Sequence, residues 1–338
     1  MSVETAVIPV AGAGTRVFPM TTAIEKCLMP VYFGDTARPV IDFMVEDCAL
    51  GGIERIIFVT SERGQGQLQD YFGQLNTNLE AQLRRLDKTD KIAEELARRR
   101  SRSLTYEYVV QPPDQYGTAY PPFLAQDHLR GESRFALMGG DDFVYHADGT
   151  SEMAEAIKLW KSSDSDHVIM GNPVAREEGS KYGILHIGLD GQLQEFDEKP
   201  PLERIPANPV ANISRYLLSD AIWPHIEAEI QRERSGKDEH FVTYAINDAL
   251  ADGQSFQVHP VTGKYLDGGS FAGLQEAGAW IAAHPPIKHG PDQEDALKQD
   301  GGLRAVIQEA RDSGDNRSRV DIISEWQRSQ QNPNTNTQ

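Results

Sequence analysis

In the stretch AVIPVAGAGTRVFPMTTAIEKCLMPV, residues 6–31, a run rich in aliphatic residues leads into Gly12 and Gly14, and Arg16 and Lys26 follow. Where no Cβ intervenes, backbone N–H groups approach an anion closely. Arg16 adds a fork of donors matched to phosphate oxygens, and Lys26 adds a compact charge. A buried strand, two glycines and two cations fit a nucleoside triphosphate. A plain structural turn is the other reading, since glycines after strands are common. Two familiar phosphate fingerprints are absent. Val17 stands where the dinucleotide pattern needs its third glycine, and no Gly-Lys-Ser/Thr follows.

Carboxylates form a second group. LMGGDDFV places Asp141 and Asp142 just after a predicted strand, and GKYLDGGS places Asp267 between an apolar residue and two glycines. Two carboxylates brought to one site supply the hard oxygen ligands that Mg²⁺ takes beside substrate phosphates. An isolated Asp at a strand end is otherwise a turn or cap residue. The histidines show no ligand spacing, and no Ser-His-Asp arrangement can be nominated. Cys27 lies beside Lys26, where a cation lowers a thiol's pKa, yet packing is the reading adopted for it.

These residues need elements to hold them. Short apolar runs recur at 5–11, 55–60, 105–111, 135–140 and 167–174, with helical patterns between several of them. In PVIDFMVEDCALGG, residues 39–52, Ile41, Val45, Cys48 and Ala49 share one face, and Gly51 and Gly52 close the helix. Strands alternating with helices predict an α/β fold: a mostly parallel sheet with helices on both faces and ligands outside the carboxyl ends of the strands. Residues 75–102 read as a solvated helical excursion carrying Leu79, Leu83, Leu86, Ile92 and Leu96 beside Arg84, Arg85 and Arg98 to Arg100. Trp160, Trp223 and Trp280 read as core. The texture changes near Pro285, which predicts a domain at 1–284 and a C-terminal helical extension at 285–338 ending in a disordered tail.

Bulk properties exclude several classes. The 338 residues carry a net charge of -18, which opposes non-specific binding to nucleic acid or anionic membranes, both of which need a basic face. A small anionic ligand stays open, because a few local cations suffice to bind phosphate. Two cysteines, Cys27 and Cys48, exclude a disulfide framework and a cysteine-rich zinc module. The N-terminal MSVETAVIPV has no signal-peptide pattern, and no apolar run approaches the roughly 18–20 residues of a membrane span. The expectation is a cytoplasmic protein with no nucleic-acid or membrane partner.

The 6–31 stretch resembles the signature of bacterial UTP–glucose-1-phosphate uridylyltransferases, within the sugar-1-phosphate nucleotidylyltransferases. That signature is a strand, Gly-x-Gly-Thr-Arg, an apolar residue with Pro, Thr-x-Ala-Ile-x-Lys, then Leu/Met-Pro, and every element is present. The likeness runs to about residue 282. It implies a Rossmann-like mixed sheet of the nucleotide-diphospho-sugar transferase kind and Mg²⁺-dependent transfer of uridylyl from UTP to glucose 1-phosphate. Ala11, Gly12, Gly14 and Thr15 would hold the triphosphate. Arg16 would hold the leaving pyrophosphate, and Lys26 would balance charge at the transferred phosphoryl. Asp141 and Asp267 match the family's metal aspartates, the latter in an Asp-x-Gly motif, with Asp142 as a supporting neighbour. In FDEKPPL, Glu198 would bond sugar hydroxyls and Lys199 the phosphate of the sugar 1-phosphate, while the backbone of Gly183 faces the sugar. Gln111 would pair with the uracil edge, and Gly117 would allow close approach to the nucleotide. Arg215, Tyr216, Trp223 and Pro224 match as scaffold.

The insertion beginning NLEAQLRRL resembles one typical of the uridylyltransferase branch and favours UTP over dTTP. Three positions depart from the pattern: Gly117-Thr118-Ala119 replaces the usual Gly-His-Ala, Arg38 stands where lysine is common, and Tyr244 stands where an aspartate is common, although Asp238 and Glu239 fit. A homo-oligomer is expected, with the C-terminal extension contributing to a subunit interface. The alternatives are the same reaction with dTTP or another sugar 1-phosphate, and a non-catalytic sugar-nucleotide sensor.

Overall fold

The computed structural model describes residues 2–73, 76–92, 95, 104–233 and 239–286. Its strands are β1 (Thr5–Pro9), β2 (Pro30–Phe33), β3 (Thr36–Pro39), β4 (Arg55–Thr60), β5 (Thr105–Val110), β6 (Arg134–Met138), β7 (Asp142–Tyr145), β8 (His167–Pro173), β9 (Gly183–Ile187), β10 (Leu193–Glu198), β11 (Val210–Ser219), β12 (Phe256–Pro260) and β13 (Lys264–Asp267). The helices are α1 (Val40–Leu50), α2 (Glu62–Phe72), α3 (Thr77–Arg85), α4 (Tyr120–Ala125), α5 (Glu152–Ser162), α6 (Trp223–Gln231), α7 (Val242–Ala251) and α8 (Phe271–Ala283). All five predicted strands are present.

One sheet carries nine of the strands. At its centre β1 pairs in parallel with β4 and β6, and β4 with β5. Beyond β6 the direction changes: β11 runs antiparallel to both β6 and β8, and β12 rejoins β8 in parallel. Strand β11 serves three partners, and its register with β8 shifts between Asn212 and Arg215, where Ser214 adopts φ 53°. Its first residues pair with β9, which carries β10 alongside. The result is the expected mixed, mostly parallel sheet.

Side-chain period two explains why both faces are covered. Ala6, Ile8, Ile56, Phe58, Ala136 and Met138 point to one face, packed by apolar residues of α1, α2, α5 and α8. Val7, Ile57, Val59, Phe135 and Leu137 point to the other, packed by α4, α6 and α7. A strand buried on both sides reads as a continuous apolar run, as RIIFVT does.

Several expectations need correcting. Helix α1 is buried at Val40, Ile41, Asp42, Phe43, Met44, Val45 and Cys48, while Ala49 is only half-buried. A single stripe is too narrow for it, since it packs against both α5 and β7. The left-handed turn after α1 falls on Gly52, at φ 86°. Trp160 is buried, donating from Nε1 to Ser165 O at 2.9 Å, whereas Trp223 and Trp280 are partly buried at the core edge. Of the leucine stripe, Leu79 and Leu86 are exposed and only Ile92 is buried, with Leu83 half-buried. Leu96, Arg98 to Arg100 and the extension beyond Pro286 lie outside the described residues.

Strands β7 and β13 form a separate two-stranded ribbon. One end carries Asp141 and Asp267. At the other end Glu152, 1% exposed, accepts hydrogen bonds from His146 and His259 Nε2 at 2.8 Å each and from the N–H groups of Thr262 (2.7 Å) and Gly263 (2.8 Å). Burial works to raise its pKa, but the bonds from His259, Gly263 and Thr262 outweigh burial and pull it down to about 2, from an ordinary 4.5. Elsewhere in the core, burial pulls the His167 pKa down to about 4, from 6.5, against its hydrogen bond to Gln254. Both groups hold fewer protons folded than unfolded, so both make stability fall with falling pH. His167 should act between pH 6.5 and about 4, and Glu152 between 4.5 and about 2. Each window is worth up to about 3 kcal/mol. Between about pH 6 and 4 the buried Asp142 carboxyl, pushed up to about 6, contributes with the opposite sign. Thermal unfolding across a pH series therefore tests the assignment by comparison: as pH falls from 6.5 towards 4, wild type is expected to lose Tm relative to His167→Gln. An unchanged slope in the variant would contradict the assignment.

Candidate active site

Strand β1 ends at the glycine loop, and two contacts bring β6 to the same place. A Cβ on Gly140 would strike the carbonyl of Pro9, so only glycine lets β6 deliver Asp141 beside the end of β1. The N–H of Gly268 then donates to Asp141 O at 2.9 Å, and Asp267 pairs in register with Asp142. Two aspartates more than a hundred residues apart in sequence thus meet at the carboxyl edge of the sheet.

The cations come from the loop. Gly14, at φ 62°, precedes the short turn Thr15–Val17, and a Cβ there would lie 2.6 Å from Thr21 Cγ2 and 3.2 Å from Lys26 Cβ. Glycine is required at 14 by both conformation and space. At Gly12 an added Cβ would meet nothing within 4 Å. Arg16 Nη2 donates to Asp141 Oδ2 at 3.3 Å, and its Nη1 lies 3.8 Å from Asp267 Oδ2. Lys26 Nζ, largely shielded, also pairs with Asp141 Oδ2. Asp267 accepts from the N–H of Gly269 and the hydroxyl of Ser270, both at 2.8 Å. Arg16, Lys26, Asp141 and Asp267 therefore form one cluster.

Neighbouring groups fix that cluster. Asp142 is buried; its Oδ1 pairs with Arg215 Nη1, its carbonyl accepts from Arg215 Nη2 at 2.7 Å, and its Oδ2 accepts from the Tyr265 hydroxyl at 3.0 Å. Burial pushes the Asp142 carboxyl up to about 6; Arg215 opposes this and the charge of Asp141 adds to it. Arg215 is itself buried, in keeping with a scaffold role. Burial also pushes the Cys27 thiol up to about 12 despite Lys26 beside it, which supports the packing reading.

The remaining predicted residues form two other groups. Glu198 ends β10 over the start of β9, where a Cβ on Gly183 would lie 2.8 Å from Glu198 Oε2. Lys199 follows at φ 48°, a left-handed conformation that a lysine rarely adopts, and its N–H donates to Tyr182 O at 3.1 Å. Its Nζ lies 3.9 Å from Glu198 Oε1 and extends into solvent. Among the described residues no ion pair joins Lys199 to Asp141 or Asp267. Gln111, just after β5, donates from Nε2 to Gln115 O at 2.5 Å. The Gly117 position has a packing cause: at φ 114° a Cβ would strike the backbone of His240. Thr118, at the departure from the usual histidine, accepts from Val242 N–H at 3.0 Å and so caps α7. Arg38 is likewise structural, paired with Asp42 (2.9 Å) and Glu46 (2.7 Å).

Sequence reading missed Gly269. A Cβ there would run into Arg16 Nη2 and lie 2.9 Å from both Asp141 Oδ2 and Asp267 Oδ1. The Asp-x-Gly spacing was the only signal that could have found it.

A family model described as nucleotidyl transferase matches residues 5–283. The chain belongs to the nucleotidyl transferase family. It is similar to a UTP–glucose-1-phosphate uridylyltransferase of Haemophilus influenzae, 30% identical over 285 residues that make up 80% of this chain and 90% of that protein. Among solved structures, a UTP-bound UGPase from Acinetobacter baumannii superposes with TM-score 0.72 at 27% identity, covering 88% of this chain and all of that one. A UDP-glucose pyrophosphorylase complexed with UDP-glucose superposes with TM-score 0.67 at 26% identity, covering 83% and 99%. Among the described residues of this nucleotidyl transferase, no helix is long and apolar enough to cross a membrane.

The donor set suits a hard divalent cation. The point a Gly269 Cβ would occupy lies 2.9 Å from an oxygen of each aspartate and closer still to Arg16 Nη2, so two carboxylates converge on a cradle that the guanidinium also reaches. Two carboxylates, with water and substrate phosphates completing the shell, form a set that such cations accept.

Proposed function

We propose that this nucleotidyl transferase moves the uridylyl group of UTP onto glucose 1-phosphate, giving UDP-glucose and pyrophosphate. The observation that carries this is the convergence of Arg16, Lys26, Asp141 and Asp267 around Gly269, beside an open glycine loop. The activity of the uridylyltransferase relative and the UTP- and UDP-glucose-bound structures supply the substrate pair.

The attacking oxygen of glucose 1-phosphate already bears negative charge, so no general base is needed. It approaches the α-phosphorus in line, with pyrophosphate leaving opposite, and catalysis rests on positioning and charge stabilisation. The backbone of Ala11, Gly12, Gly14 and Thr15 cradles the triphosphate. Arg16 steadies the departing pyrophosphate, Lys26 balances charge on the transferred phosphoryl, and Lys199 holds the attacking phosphate. Glu198 and the backbone of Gly183 bind the sugar, while Gln111 faces the uracil edge. Asp141 and Asp267 would hold Mg²⁺, which when bound neutralises phosphate charge. The same reading places the enzyme in the cytoplasm, with residues 1–284 as the catalytic domain and 285–338 as an extension that contributes to a homo-oligomer.

Pyrophosphate release tests the reading, with four nucleoside triphosphates crossed against glucose, galactose, mannose and N-acetylglucosamine 1-phosphates. Release is expected with UTP and glucose 1-phosphate above all other pairs. Preference for another pair would move the specificity and keep the chemistry. No release from folded protein that binds UDP-glucose would leave a sensor.

A further inference from the structure

Glu25, immediately before Lys26, is 5% exposed, and the first turns of α2 surround it. Its Oε1 accepts from Ser61 Oγ at 3.1 Å and from Arg63 Nε at 3.0 Å, with Arg63 Nη2 at 2.9 Å. Its backbone N–H donates to Gln67 Oε1 at 2.8 Å. The same two side chains reach back along the chain: Arg63 Nη1 donates to Thr22 O at 3.3 Å, and Gln67 Nε2 donates to Ala23 O at 3.2 Å. A Cβ on Gly64 would strike Thr60 Oγ1 and stand 3.1 Å from Ser61 Oγ and 3.2 Å from the Glu25 carboxyl carbon, so glycine there leaves room for all three groups. A carboxylate over the first turn of a helix also meets the positive end of its dipole.

We propose that Glu25 and Arg63 are positioning residues for the transfer reaction, acting through Lys26. The inference rests on the role assigned to Lys26 above. Segment 22–26 is fastened to α2 by side chains at both edges, and its last residue aims an ammonium at Asp141. Lys26 is also wedged on its other side, since Gly14 faces its Cβ. The aim of the ammonium therefore depends on how Glu25 is held. Without Arg63, the Glu25 carboxylate is left buried without its cation, a state that proteins relieve by moving the charge towards water. That movement would carry Lys26 with it.

The test uses the full-length enzyme with UTP and glucose 1-phosphate, comparing wild type, Arg63→Ala, Glu25→Gln, and the two combined. Arg63→Ala is expected to lower kcat about tenfold, with KM for both substrates within about twofold, because a small misplacement near the reacting group costs rate more than binding, and to lower Tm, because a buried carboxylate loses its cation. Glu25→Gln keeps an acceptor for Ser61 and Arg63 and should lower kcat by less than Arg63→Ala does. In the Arg63→Ala background, Glu25→Gln should restore most of the lost kcat, since a neutral amide needs no cation. Wild-type kcat in Arg63→Ala, or failure of the added Gln to rescue it, would overturn the proposal. A wild-type enzyme that releases no pyrophosphate would instead overturn the reading of the function.

Discussion

Replacing Asp141 or Asp267 with asparagine is expected to lower kcat by about 10³-fold with the fold intact, since stabilising phosphate charge through a divalent metal is worth several kcal/mol. Asparagine preserves shape and one acceptor oxygen. In Asp267→Asn the surviving oxygen can still accept from Gly269 N–H, so the turn into α8 keeps a partner. In Asp141→Asn the backbone bond from Gly268 is untouched. What disappears is charge, and with it a hard ligand. The change should fall on kcat and on metal dependence, with KM for UTP flat or lower, because Arg16 and Lys26 lose a competing anion. Steady-state kinetics across a Mg²⁺ titration, with circular dichroism as the fold control, measure this. Were the aspartates merely turn residues, both variants would retain near-normal turnover, and the metal assignment would be lost.

The second large effect belongs to Gly269→Ala. The backbone tolerates alanine there, since Gly269 is not among the positive-φ glycines. The neighbours an added Cβ would meet are ends of side chains: Arg16 Nη2, Asp141 Oδ2 and Asp267 Oδ1. Such ends move cheaply, so stability should change little, with Tm within about 2 °C of wild type. Those same ends are the groups to which the proposed function assigns the metal and the leaving pyrophosphate. A displacement near 1 Å of reacting or positioning groups costs about 10²-fold, and that is the expected loss in kcat. Comparison with Gly14→Ala separates the causes, because there the backbone itself must strain at φ 62° and stability should fall as well. Activity retained in Gly269→Ala would mean that the cradle between the aspartates is not where the reaction is assembled.

Much of this site was legible in the chain. RIIFVT became β4 at its predicted bounds because a strand covered on both faces has to be apolar throughout. The glycine loop with Arg16 and Lys26 was readable because its parts lie close together in sequence. The pairing of Asp141 with Asp267 was readable only through resemblance, since the ribbon that joins them consists of two four-residue strands too short to show a period. Glu25 reads in sequence as an ordinary surface acid. Its burial depends on Arg63, 38 residues away, and on a parallel β1–β4 pairing that no local pattern encodes. Gly117 shows a second cause that sequence could not supply: at φ 114° an added Cβ would strike the backbone of His240. The reason for a glycine is set by what the fold brings against it.

The most direct measurement is transfer of the label from [α-³²P]UTP in the presence of Mg²⁺ and glucose 1-phosphate. The expected result is label in UDP-glucose, matched mole for mole by unlabelled pyrophosphate, at a rate that falls about 10³-fold in Asp141→Asn. Label appearing as UMP, or remaining in UTP while the protein is folded and the metal is present, would contradict uridylyl transfer at this site.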